Sequence, residues 1–243
     1  MPAILDAIGN TPLVRLSRVV PEGAADVYVK LEFYNPTGSY KDRMALSMIE
    51  RAERRGALKP GMTVVEYTGG STGISLAFVC AVKGYRCRIV SSDAVAKEKL
   101  RSMQIFGAEL EILKSTGGKL TADLVPRMMQ RAREIAAEEP SYATDQMRNP
   151  DMVAGYEPLG EELLRQVLKP IDVFCAASGT SGMIMGASRA LKRANPATRV
   201  IAFEPATSAV LSGARRGCTA WKGSPQASCR RSSTAASCAR LAR

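Results

Sequence analysis

The chain has 243 residues, a formal net charge of +11 and an apolar content of 46% with few aromatic residues. Its length allows one large domain or two small ones, each with a hydrophobic core. The sequence has no apolar run of the roughly 20 residues that a membrane-spanning helix needs and no secretory signal pattern, so we expect a cytoplasmic protein with no membrane partner.

Most of the net positive charge lies near the C-terminus. No acidic residue follows Glu204, and seven basic residues lie beyond Gly213. The charge therefore belongs to a tail and not to a folded basic face, and we expect no nucleic-acid partner. The alternative is a nucleic-acid-binding tail, whose affinity would fall with salt and vanish when residues 214–243 are deleted.

The residue types that bind metals or form catalytic pairs exclude two kinds of site. The chain contains six cysteines and no histidine, and no two cysteines have the C-x-x-C spacing. We therefore expect no metal site, and neither a Ser-His nor a Cys-His catalytic pair. The cysteines are interpreted as structural and reduced.

Strand and helix patterns alternate from residue 27 to Phe203. We predict strands at 27–31, 63–67, 88–91, 109–113, 171–177 and 199–203. We predict helices from a Ser39 cap to Gly56 and at 74–83, 96–106, 122–137 and 183–194. This alternation is typical of right-handed crossovers and a mostly parallel sheet covered on both faces. The predicted fold class is α/β, with 171–177 a buried strand.

Three glycine-containing loops precede predicted helices. Lys41 follows the turn at Gly38 and Ser39, and the loops 68–73 and 179–186 each follow a strand. Backbone N–H groups at a helix start bind anions, and the spacing of 179–186 favours a compact phosphate over a dinucleotide. A lysine, a carboxylate site and a phosphate site together suit an amino-acid enzyme that uses pyridoxal phosphate. The structural alternatives are a solvated lysine and plain βα turns.

An ordered set of motifs over about residues 4–213 resembles the cysteine synthase and cystathionine β-synthase family of pyridoxal-phosphate enzymes. The set consists of 8–13, 35–43, 66–73, 106–110, Gln146 with 149–150, 179–186, and 204–205 with 211–213. The resemblance implies the fold type of tryptophan synthase β, with two three-layer α/β domains and mostly parallel sheets. Residues 1–41 and 146–213 would form a large cofactor-binding domain that is incomplete, and 42–145 a small substrate-loop domain.

The resemblance also implies a role for each matching residue. Lys41 would hold pyridoxal 5′-phosphate as a Schiff base and, once freed by the substrate amine, remove the substrate Cα proton. The cofactor-binding residues would be Lys41, Ser71, Gly179, Thr180, Ser181, Gly182 and Met183. The residues that hold the substrate carboxylate would be Thr68, Gly69, Thr72 and Gln146.

The implied activity is a β-replacement that forms cysteine from O-acetylserine and sulfide, so the partners are a small amino-acid substrate and sulfide. The alternatives are related chemistry of the cystathionine β-synthase, threonine synthase or serine dehydratase type, and an inactive protein that only binds the cofactor. The family further implies a homodimer and, for some members, an interaction with serine acetyltransferase.

Three positions depart from the family pattern. Ser71 stands where Asn usually contacts the ring hydroxyl of the cofactor, and the shorter side chain loses this hydrogen bond or makes it through water. Ser181 and Met183 replace the third and fifth residues of the usual Gly-Thr-Gly-Gly-Thr loop. Met183 thereby removes a hydroxyl donor to the phosphate.

The tail, residues 214–243, lacks periodicity and large aliphatic side chains, and we predict that it is disordered. Family members are longer, so we expect a truncated chain with an aberrant tail. We hypothesise a frameshift near Arg215. The reading frame of the coding DNA that starts one base earlier necessarily encodes Glu at the position of Lys222. With permitted codons that reading frame gives a family-like segment across 218–234. A lineage-specific tail is the alternative.

Overall fold

The computed structural model describes residues 3–119, 121–205 and Leu211. The helices are α1 Lys41–Arg54, α2 Ser71–Lys83, α3 Lys97–Ile105, α4 Leu124–Glu138, α5 Pro150–Ala154, α6 Glu157–Gln166 and α7 Gly182–Ala194. The strands are β1 Leu13–Arg15, β2 Tyr28–Lys30, β3 Thr63–Tyr67, β4 Arg86–Ser92, β5 Glu109–Leu113, β6 Ser141–Ala143, β7 Val173–Ala177 and β8 Arg199–Phe203. The tail 214–243, for which we predicted disorder, lies outside the described residues. Within the described ranges, none of the helices has the length and apolar character needed to span a bilayer.

A parallel four-stranded sheet with the order β5-β4-β3-β6 forms the centre of the fold. Every residue of β3 is buried, because helices cover both faces of this sheet. Val64 packs with side chains of α1 and α2 on one face, and Val65 packs with side chains of α4 on the other. The α/β class and the parallel sheet predicted from the sequence are confirmed.

The second parallel sheet, β7 with β8, is covered by α7 on one face. Phe174 and Val200 pack there against Ile184. On the other face Val173 is 44% exposed and Phe203 is 53% exposed. The prediction that 171–177 is a buried strand is therefore wrong for this face. Side chains alternate along a strand, and every second one points to a side that no described element covers.

Most predicted elements match the structure, and the differences are concentrated in short ones. The strands predicted at 63–67, 109–113 and 199–203 match β3, β5 and β8. The antiparallel pair β1–β2 was predicted only at β2, and β6, α5 and α6 were not predicted. β6 has three residues and exists through its pairing with β3, so its own sequence is too short to show a period. α5 and α6 each carry a proline in the first turn, a start signal that the sequence offered.

A buried ion cluster fixes the N-terminal segment against α1 and α6. Arg43 on α1 donates to both carboxylate oxygens of Glu162 on α6, at 2.6 and 2.8 Å, and to Glu32 at 2.7 and 2.9 Å. Lys30 lies 2.7 Å from Glu162. Burial acts to raise the pKa of Glu162, but the hydrogen bonds from Arg43 and Lys30 outweigh it and lower this pKa to about 2. The cluster orients the start of α1, where Lys41 lies.

Candidate active site

Lys41 is the first residue of α1, and it faces a loop from a distant part of the chain. Its side chain is partly buried, and Nζ donates to the Thr180 hydroxyl at 3.4 Å, across 139 residues of sequence. The ammonium also lies over the Tyr40 ring, 5.1 Å from the ring centroid. The N-cap residue is Tyr40, so the prediction of a Ser39 cap is wrong. Ser39 instead accepts a hydrogen bond from the Lys41 N–H at 3.2 Å.

The pKa of the Lys41 ammonium is suited to acid–base chemistry near neutral pH. Burial lowers this pKa to about 8, although the carboxylate of Glu66 acts to raise it. Desolvation disfavours the charged form of the amine. At pH 8 about half of the Lys41 side chains are then neutral, the form that attacks an aldehyde carbon or accepts a proton.

The segment before Lys41 is tied to α1 and to α2. The N–H and the hydroxyl of Thr37 donate to the Asp42 carboxylate at 2.8 and 2.5 Å. The Thr37 hydroxyl also lies 3.3 Å from the hydroxyl of Ser75 on α2. Asp42 is buried in the first turn of α1, where a negative charge is favoured by the helix dipole. These contacts fix the first turn of α1 and thereby the direction in which the Lys41 side chain points.

The predicted loop 68–73 follows β3, and α2 begins within it, at Ser71. The Thr68 hydroxyl accepts a hydrogen bond from the Gly70 N–H at 3.2 Å. The Thr72 hydroxyl donates to the side-chain oxygen of Gln146 at 2.7 Å, and both side chains are buried. The fold thus brings together two of the residues predicted to hold the substrate carboxylate. The N–H groups of Ser71 and Thr72, in the first turn of α2, add donors for an anion.

The predicted loop 179–186 follows β7, and α7 begins within it, at Gly182. Ser181 has a left-handed φ of 63°, and its hydroxyl lies 2.7 Å from that of Ser178. A Cβ at Gly182 would lie 1.7 Å from the Met152 sulfur, so a larger residue there would displace the Met152 side chain of α5. A Cβ at Gly179 would meet open space. The N–H groups at the start of α7 have no intrahelical partner and favour an anion.

The donor set fits pyridoxal phosphate. Open space at Gly179 lies next to Thr180, whose hydroxyl contacts Lys41. An amine with a lowered pKa therefore lies beside a helix N-terminus that favours phosphate. Met183 differs from the other residues predicted to bind the cofactor, because its side chain packs among the apolar residues of α6 and α7. Its thioether has no hydrogen-bond donor, so only the backbone N–H of Met183 can donate to a phosphate.

Glu66 belongs to the site, although we assigned it no role from the sequence. Its buried carboxylate accepts hydrogen bonds from the N–H of Tyr67 at 2.9 Å, the N–H of Gln146 at 3.0 Å and the hydroxyl of Thr144 at 2.7 Å. Burial raises the pKa of Glu66 to about 7, a rise that these hydrogen bonds oppose. The signal in the sequence is a charged residue within an otherwise strand-forming run, which the structure shows to be buried throughout.

Comparisons with known proteins agree with this arrangement. A family model described as pyridoxal-phosphate dependent enzyme matches residues 4–239, which extends past residue 213, where the motifs end. A cysteine synthase of Staphylococcus aureus is 44% identical over 216 residues, covering 88% of this chain and 68% of that protein.

Two solved structures extend the comparison. A crystal structure of cysteine synthase from Entamoeba histolytica has a TM-score of 0.84 at 33% identity, over 93% of this chain and 67% of that one. A mutant of O-ureido-L-serine synthase with O-ureido-L-serine bound has a TM-score of 0.84 at 36% identity, over 93% and 69% of the two chains. Both likenesses cover 93% of this chain.

Proposed function

The chain belongs to the family of pyridoxal-phosphate-dependent enzymes, and we propose that it forms cysteine from O-acetylserine and sulfide by β-replacement. The observation that carries this proposal is the contact between Lys41 Nζ and the Thr180 hydroxyl at 3.4 Å. It joins an amine with a lowered pKa to a helix start suited to phosphate. Similarity to cysteine synthases supports the choice of substrates within the family.

When bound, pyridoxal phosphate supplies an electron sink for negative charge at the Cα of an amino acid. We assign Lys41 to the aldehyde carbon of the cofactor and Ser71 to its ring hydroxyl, which Ser71 would contact through water. The residues that would hold its phosphate are Gly179, Thr180, Ser181, Gly182 and Met183. They offer two hydroxyls and the N–H groups at the start of α7, and the dipole of this helix stabilises the negative charge.

Lys41 also acts as the general base that removes the proton from the substrate Cα. Its pKa of about 8 makes it an effective proton acceptor near neutral pH. The carboxylate of the substrate is held at the start of α2, which orients the Cα proton toward the amine. The residues that would hold the carboxylate are Thr68, Gly69, Thr72 and Gln146, and the hydrogen bond between Thr72 and Gln146 supports this assignment.

The domain division, assembly and location follow as further parts of the proposal. Residues 1–41 with 146–213 make the large domain and 42–145 the small one, with the cofactor between them. Lys41 at the boundary and its contact with Thr180 support this division. Similarity to cysteine synthases is the ground for proposing a homodimer in the cytoplasm that interacts with serine acetyltransferase.

O-Ureido-L-serine is the second candidate product. The synthase of that name and the cysteine synthase have the same TM-score to this chain, 0.84. The two products differ in the nucleophile that adds to the substrate Cβ, so the same lysine and carboxylate site serve both. Product analysis with O-acetylserine and either sulfide or hydroxyurea distinguishes them.

The experiment that tests the proposal is an absorption spectrum of the purified chain with pyridoxal phosphate, followed by a cysteine assay. We expect a visible band that moves when O-acetylserine is added, and cysteine release when sulfide follows. Lys41→Ala should lack both, because the amine that holds the cofactor is gone. The matched control is Lys97→Ala, which removes an exposed lysine at the start of α3 and should behave as the unaltered chain.

Two outcomes would contradict the proposal. A folded chain that gives no visible band does not bind the cofactor as proposed. A band without cysteine or O-ureido-L-serine formation identifies a protein that binds the cofactor without this activity.

A further inference from the structure

A chain of hydrogen bonds runs from Glu66 to the residues assigned to the substrate carboxylate. Oε2 of Glu66 accepts from the Gln146 N–H at 3.0 Å and from the Thr144 hydroxyl at 2.7 Å. Oε1 accepts from the Tyr67 N–H at 2.9 Å. The side chain of Gln146 in turn accepts from the Thr72 hydroxyl at 2.7 Å. Glu66 on β3 therefore connects the segment after β6 with the start of α2.

The three donors around Glu66 suit the two oxygens of a glutamate side chain. Two N–H groups and one hydroxyl converge on two oxygens, and a carboxylate accepts all of them. A glutamine supplies one oxygen and one NH2 group, so at least one donor would face another donor. An apolar side chain would leave buried donors without partners, which is destabilising.

The burial of Glu66 favours a role in the site over a role in the core. The residue is 2% exposed, between the apolar residues of β3, where burying a carboxylate is unfavourable unless it is hydrogen-bonded. The bonds that stabilise it lead to Gln146, and Gln146 leads to Thr72. A position selected only for packing would be apolar, as Val64 and Val65 are.

We propose that Glu66 is a positioning residue for the amino-acid substrate, holding the Gln146 backbone so that the side chains of Gln146 and Thr72 stay together. This inference rests on the proposed function, which assigns Thr72 and Gln146 to the substrate carboxylate. Glu66 does not touch the substrate, and its effect passes through Gln146.

The first measurement is amide hydrogen exchange at Gln146 in the full chain without added cofactor. In the unaltered protein this N–H is protected by its bond to Glu66, and in Glu66→Gln we expect exchange roughly tenfold faster or more. The N–H groups of α4, on the other face of the sheet, serve as the internal control. Their exchange should change much less, because they report the stability of the fold.

The second measurement is steady-state kinetics with O-acetylserine and saturating sulfide. In Glu66→Gln we expect KM for O-acetylserine to rise by about tenfold and kcat to change by less than about threefold. Weaker positioning of the substrate carboxylate reduces binding of the ground state and of the transition state alike. A purely structural role would lower the melting temperature and the active fraction, with KM unchanged.

Thr144 provides a second pair of variants, which also covers a Glu66→Gln protein that does not fold. Thr144→Val removes the hydroxyl that lies 2.7 Å from Glu66 Oε2 and 3.2 Å from the Val65 carbonyl oxygen, and it should shift KM and Gln146 exchange in the same direction. Thr144→Ser keeps the hydroxyl, and we expect both quantities to return to those of the unaltered chain.

The outcomes separate this inference from the proposed function. An unaltered chain that makes no cysteine contradicts the proposed function, while the exchange at Gln146 still tests the positioning role. An active chain in which neither Glu66→Gln nor Thr144→Val changes KM or Gln146 exchange overturns the positioning role alone.

Discussion

The four-stranded sheet of β3 to β6 and the two-stranded sheet of β7 and β8 are both parallel, but helices cover them differently. β3 is buried along its whole length, between α1 and α2 on one face and α4 on the other. β7 packs against α7 on one face, while its other face exposes Val173. Each sheet nevertheless sends one strand–loop–helix unit to the site. A parallel strand can therefore position an anion-binding helix start whether or not its sheet is covered on both faces.

The two regions meet along α1, and two of the polar contacts there lie at or near the candidate site. Lys41 at the start of α1 donates to Thr180 in the loop between β7 and α7. Two residues further along α1, Arg43 pairs with Glu162 of α6. The first contact carries the proposed chemistry, and the second is buried and charged. The buried ion pair therefore provides the strongest test of how the regions depend on one another.

The largest effect is expected for Glu162→Ala. This change leaves Lys30 buried without a carboxylate partner and Arg43 with Glu32 alone, and we expect the free energy of unfolding to fall by about 3–5 kcal/mol. Urea denaturation followed by circular dichroism measures it. The control is Glu161→Ala on the same helix, whose 51% exposed side chain pairs with Arg193 at 3.7 Å. We expect that change to stay within about 0.5 kcal/mol, and equal effects would contradict the importance of the cluster.

The same cluster should make the protein sensitive to acid. The pKa of Glu162 is lowered from 4.5 to about 2 in the folded protein, so folding favours the ionised form. Its contribution is present above pH 4.5 and is lost as pH falls through 2, an effect of about 3 kcal/mol. In Glu162→Gln this part of the pH dependence should be missing. Unfolding measured between pH 5 and pH 2 checks it, and parallel curves for both proteins would refute it.

Alanine substitutions at matched valines compare the two sheets directly. Val65 on β3 is 1% exposed and Val173 on β7 is 44% exposed. We expect Val65→Ala to cost about 2 kcal/mol and Val173→Ala less than about 0.5 kcal/mol, because only the first leaves a cavity. Thermal or urea unfolding measures both. A large cost at Val173 would mean that this face is covered in solution.

Lys41→Met should stabilise the protein, in contrast to the other changes. The folded-state pKa of Lys41 is lowered from 10.5 to about 8, so the charged amine opposes folding below pH 8. Without added cofactor we expect the variant to be more stable at pH 7 by about 1–3 kcal/mol. The advantage should shrink as pH rises from 8 to 10.5, where the native lysine loses its proton first. An advantage independent of pH would point to packing instead.

The parts of the fold that depend on local periodicity were predictable from the sequence. β3, β5 and β8 were predicted at their observed bounds because each is a run of strand-forming residues between breakers. β6 was not, because its three residues become a strand through pairing with β3. The exposed face of β7 was also missed. An apolar strand has the same composition whether one face or both are covered.

The candidate site divides in the same way. Lys41 and the loops 68–73 and 179–186 were identified from residue types and glycine spacing, which are local properties of the chain. The contacts of Thr72 with Gln146 and of Lys41 with Thr180 join residues 74 and 139 positions apart. The sequence by itself determined which groups are available and which helix starts can bind an anion. Only the tertiary structure decided which groups meet, how far burial lowers the pKa of Lys41 and that Glu66 lies among them, because these depend on distance and desolvation in the folded chain.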